Sequence, residues 1–95
     1  MNAASFRALR EAARFLDVAI ALSEKGNIIR MFESAIVATL SDGLEQINVD
    51  ETSSDTSPID HLIRKAIRRA QKGRWRSSKR YTVRAINLGS RGLVN

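Results

Sequence analysis

The stretch from Ser57 to Gly73 is bracketed as a helix at both ends, and it constrains everything around it. Ser57 offers an N-cap, Pro58 takes the first helical position, and Asp60 follows three residues after the cap. Gly73 stands just past the far end, where a left-handed residue can close the last turn. Between them Ile59, Leu62, Ile63, Ala66, Ile67 and Ala70 recur at three- and four-residue steps and share one face. At about 100° per residue, the opposite face carries Arg64, Lys65, Arg68, Arg69 and Lys72, with His61 among them. Asp60 near the start and Lys72 near the end complement the helix dipole. Such a helix must bury its apolar side against other elements.

Upstream, the pattern predicts a helical hairpin over residues 5–47. Phe6, Leu9, Ala13, Leu16 and Ile20 form one stripe of a first helix, from about Ser5 to Lys25. Phe15, Val18, Ala19 and Leu22 form a second stripe beside it, and the polar arc is narrow. A helix this broadly apolar is expected at the centre of the core, or against a second copy of the chain as a homodimer. Gly26-Asn27 suits its stop. A second helix follows from about Ile28 to Leu40, or on to Ile47. Its inward face is Ile28, Phe32, Ala35, Ile36, Thr39 and Leu40. Gly43 either ends this helix or weakens it by about 1 kcal/mol relative to Ala.

Residues 48–57 read NVDETSSDTS, almost without apolar content, and predict a solvated acidic linker before the basic amphipathic helix of 58–72. After Gly73 the helical periodicity fades. The segment RWRSSKR is polar and charged, while TVRAINL has β-branched residues in rough alternation, which allows a short strand at about 80–88. Residues 73–95 are therefore expected to be a basic, partly irregular tail. The fold class that follows is all-α: a single small domain of three helices with that tail.

Charge is divided along the chain. Residues 1–60 carry five basic and ten acidic side chains, a net of −5; residues 61–95 carry eleven basic and no acidic ones, a net of +11. The formal sum of +6 conceals this segregation. An oriented positive field steers polyanions to one face, unless the acidic half packs over the basic half and neutralises it. Twelve of the sixteen basic residues are arginine, whose planar fork grips phosphate in a bidentate way. The expected partner is nucleic acid, DNA or RNA, held by Arg64, Lys65, Arg68, Arg69, Lys72, Arg74, Trp75, Arg76, Lys79, Arg80 and Arg84. Trp75, set between Arg74 and Arg76, and Tyr81, following Lys79-Arg80, suit stacking of unpaired bases, with a lid on the core as the alternative for Trp75. The alternative is a protein-binding regulator or inhibitor, of mobile-element or phage type, that docks on a larger complex. The short length, the extra apolar stripe on the first helix and the unpaired candidate strand motivate that alternative.

Catalysis has little to work with. The chain has one histidine and no cysteine, so neither a zinc site nor a thiolate nucleophile is expected. There is no glycine-rich phosphate loop following a strand. Asp50, Glu51 and Asp55 lie in a segment that is not expected to hold a fixed spacing. The expectation is a binding protein that uses no cofactor. With no apolar run approaching about 18 residues and no secretory leader pattern, a cytoplasmic setting without membrane insertion is expected.

Overall fold

The computed structural model describes residues 3–24, 30–50 and 57–93, and all four of its elements are helices. They are α1 (Ala3–Glu24), α2 (Arg30–Asp50), α3 (Ser57–Gln71) and α4 (Trp75–Leu93). Each packs on two neighbours, in the cyclic order α1, α2, α3, α4 and back to α1, so α1 and α3 stand at opposite corners. The bundle is elongated, 42 × 20 × 18 Å. Sequential helices run antiparallel. Phe15, just past the middle of α1, meets Phe32 near the start of α2 with ring centroids 6.3 Å apart, while Leu9, earlier in α1, lies beside Gly43, later in α2.

The all-helical architecture is as expected, but the described residues form four helices rather than three. The tail expected to be irregular, with its short strand at 80–88, is α4. Its buried positions explain why the alternation misled. Ser78, Thr82, Ala85 and Gly89 fall at four-, three- and four-residue steps and all face inward. This is a helical stripe written in small and hydroxyl-bearing residues, so it carries almost no apolar signal. Such residues let α3 and α4 approach closely. The Ser78 hydroxyl donates to the Ala66 carbonyl across the helix pair at 2.7 Å, and the Thr82 hydroxyl donates to the Ser78 carbonyl at 2.9 Å. Both hydroxyls are buried, so each bond satisfies a group that water cannot reach. Ser78→Ala should cost about 1 kcal/mol in chemical denaturation, and Ser78→Leu more, because its bulk would force α3 and α4 apart.

The α3–α4 connection is short because its geometry is fixed. Gly73 takes φ of 73°, the conformation that favours glycine. The Gly73 amide donates to the Ala70 carbonyl at 3.0 Å and the Arg74 amide to the Arg69 carbonyl at 2.9 Å. That pair of bonds is the Schellman closure of α3. The Arg74 carbonyl then accepts from the Ser78 amide at 3.0 Å, opening α4 directly.

The core comprises Leu9, Ala12, Leu16 and Ala19 from α1, Ile36 and Leu40 from α2, Ile59, Ile63, Ala66 and Ala70 from α3, and Ala85 from α4. Helix α1 is not surrounded on all sides. Of its second stripe, Ala19 is buried and Phe15 and Leu22 pack on the core within the chain, whereas Val18 is 43 % exposed. Helix α2 runs through Gly43 to Asp50, so residues 48–50 of the expected acidic linker are helical instead. Gly43 is buried and close to Leu9, a packing role that outweighs its poor helix propensity. The hairpin turn at Gly26-Asn27 and residues 51–56 of the linker lie outside the described residues. No described helix is long and apolar enough to cross a membrane.

Candidate nucleic-acid interface

Helices α3 and α4 form one wall of the bundle, and that wall holds nearly all the basic side chains expected to act. From α3, Arg64 and Arg68 are exposed, while Lys65 and Arg69 are half-buried toward α4. Lys72 and Arg74 are exposed at the turn between the helices. From α4, Arg76, Arg80 and Arg84 are exposed at successive four-residue steps, and Lys79 is half-buried on the side facing α1. The sequence places all five α3 cations on one face. The structure spreads them over an arc, with Arg64 and Arg68 beside Ser41 and Leu44 of α2, and Lys65 and Arg69 against α4.

Tyr81 sits in the α3–α4 groove, packed against the core, and its ring takes both Lys65 and Arg69. The Lys65 ammonium lies 5.6 Å and the Arg69 guanidinium 6.0 Å from the ring centroid. These cation–π contacts hold two long side chains in place without neutralising them. Farther along, the groove is lined by Pro58, His61 and Leu62 facing Arg84, Asn87 and Leu88. His61 is exposed there. Among the described residues no cluster of three or more His, Asp or Glu is arranged to hold a metal ion.

The question of self-neutralisation has a definite answer for the described residues. Three of the ten cations between Arg64 and Arg84 meet carboxylates: Arg64 with Asp60 at 3.3 Å, Arg76 with Glu24, and Lys79 with Asp17. All three pairs are solvent-exposed to a large degree, a setting in which an ion pair typically contributes less than about 1 kcal/mol. The two links to α1 cluster on the α1–α4 seam. The other seven, Lys65, Arg68, Arg69, Lys72, Arg74, Arg80 and Arg84, have no carboxylate within ion-pairing distance among the described residues.

Trp75 is half-buried at the start of α4, where it packs against the core and also lines a surface pocket with Gly73, Arg74 and Arg76. What sequence reasoning missed is Tyr81 as an organiser of Lys65 and Arg69. Its signal was legible only once 75–93 is taken as helix, since Tyr81 then lies beside the buried Ser78–Thr82 stripe and faces α3. Among the described residues three large apolar side chains are exposed, Val18, Val83 and Leu88, at different places on the surface. Val83 lines the α1–α4 groove with Ile20 and Asp17, Leu88 lines the α3–α4 groove, and Val18 lies in neither. No family model, curated protein or solved structure matches this chain.

Proposed function

We propose that the protein binds nucleic acid through the α3–α4 wall and acts by binding, as an accessory or regulatory factor without chemistry of its own. The observation that carries this reading is the set of seven cations on that wall that meet no carboxylate among the described residues. A charged group left without an internal partner keeps its full attraction for an external one. When phosphates take up such groups, condensed counterions are released, which drives association. The predominance of arginine adds bidentate geometry at each phosphate.

Protein docking finds less support in the fold. The strand that was to seek a partner is α4, and most of the second stripe of α1 packs inside the bundle. Titrating a fluorescently labelled oligonucleotide with the protein at about 50 mM salt tests the proposal, since electrostatic binding is strongest there. Saturable binding is expected; no binding at that salt would end it.

A further inference from the structure

Resting on that reading, we infer that the bound nucleic acid passes over α4 into the groove between α1 and α4, where Asp17 and Glu24 hold places that its phosphates take. One side of this groove is α4, with Arg76, Lys79, Arg80 and Arg84; the other is α1, with Asp17 and Ile20. Toward the α3–α4 turn it runs into a second hollow, which shares Ile20 and Arg76 and adds Arg74, Trp75 and, from the last turn of α1, Glu24. Among the described residues, five cations therefore line one continuous path against two carboxylates. Arg84 lines the α3–α4 groove as well, so the path joins the wall already described. A backbone held by Arg80 and Arg84 lies at its edge.

Both carboxylates sit on cations of the path: Asp17 on Lys79 and Glu24 on Arg76. Each pair is an anionic oxygen accepting a charge-assisted hydrogen bond, the contact that a phosphate oxygen makes with the same side chains. The pairs thus mark Lys79 and Arg76 as positions that an anionic oxygen reaches within the groove. They are also weakly held. Side-chain exposure runs from 38 % at Lys79 to 71 % at Arg76, a range in which water screens the attraction. A phosphodiester backbone competes well for such cations, because it releases condensed counterions as it binds. Asp17 and Glu24 are exposed and lie outside the core, so neutralising them leaves the packing in place.

The test compares the full chain with its Asp17→Asn/Glu24→Gln variant, on a labelled DNA strand, its duplex and the RNA strand of the same sequence. The comparison is made on whichever probe the native chain binds most tightly. At about 0.1 M salt the double variant should bind about five- to twentyfold more tightly, since each pair that no longer has to be broken is worth up to about fivefold. Its formal charge rises from +6 by two, to +8. The control, Asp42→Asn/Glu45→Gln, makes the same change at exposed positions of α2, the helix diagonally across the bundle from α4. The two shorter extents of the bundle are 20 and 18 Å, whereas the Debye length at that salt is about 10 Å, so the control should gain no more than about twofold. Lys79→Gln gives a second measurement. It should weaken binding about twofold in the native chain and about fivefold in the Asp17→Asn background, where the lysine starts unpaired. Circular dichroism checks every variant, and the lysine comparison decides if the double variant loses helix content. A gain no larger than the control's, or equal effects of Lys79→Gln in the two backgrounds, would overturn the inference while native binding stands; the pairs would then serve to clasp α4 to α1. Binding of none of the probes by the native chain or the double variant removes both.

Discussion

Replacing Arg68, Arg80 and Arg84 together with glutamine is expected to weaken nucleic-acid binding about a hundredfold at low salt, with the fold unchanged. All three side chains are exposed, and none meets a carboxylate among the described residues, so no internal pair is broken. Glutamine keeps most of the aliphatic stem and removes the charge. A basic side chain held against an anionic surface contributes about 1 kcal/mol, and three such contributions amount to roughly two orders of magnitude in affinity. The matched control is Arg7, Arg10 and Arg14 to glutamine. Either triple change lowers the formal charge from +6 by three, to +3. The second removes its charges from the exposed face of α1, the helix diagonally across the bundle from α3. If location governs binding, that control loses no more than about threefold. Equal losses in both variants would show that net charge alone matters. Circular dichroism on each variant checks that helix content is retained.

The second large effect concerns the bundle itself. Leu9→Ala is expected to cost about 2–5 kcal/mol, which is much of the total stability of a domain this small. Leu9 is fully buried, and on the α2 side it lies directly against Gly43. A Cβ added at Gly43 would stand 3.2 Å from Leu9 Cδ2 and 3.4 Å from its Cγ. In the native protein Gly43→Ala therefore sets about 1 kcal/mol of improved helix propensity against a tight contact, and little net change is expected. In the Leu9→Ala background the contact is gone, and the same methyl enters the space the leucine left. There Gly43→Ala should recover about 1–2 kcal/mol. Urea denaturation of the two single variants and the double one reads this coupling, and additive effects would mean that the two positions do not share a packing site.

Most of the fold was legible where apolar residues mark the buried face. The Ser57-Pro58 start and Gly73 stop of α3 coincide with the observed helix, and the stripe of Ile59, Ile63, Ala66 and Ala70 is buried as its spacing requires. Helix α4 was not legible for a physical reason. Its core face is Ser78, Thr82, Ala85 and Gly89, residues that join the core by being small and by bonding to nearby carbonyls. A reading built on hydrophobic period has no way to see them, whereas the β-branched Thr82, Val83 and Ile86 between them suggest a strand. The basic residues were legible as a set, since charge is a property of the sequence. Their distribution was not, because it depends on α4 being a helix: only then do Arg76, Arg80 and Arg84 align, and only then does Tyr81 reach Lys65 and Arg69. The pairing of Lys79 with Asp17 and Arg76 with Glu24 follows from α1 and α4 being neighbours, which no local signal encodes.

The dependence of affinity on salt tests most directly whether these cations are available to an outside polyanion. With five to seven phosphates engaged, the logarithm of the association constant should fall against the logarithm of salt concentration with a slope between about −4 and −6. Between about 50 and 200 mM salt, that is a loss of a few hundredfold to a few thousandfold. An affinity that stays constant across that range would contradict the account, because the α3–α4 cations would then have no part in binding.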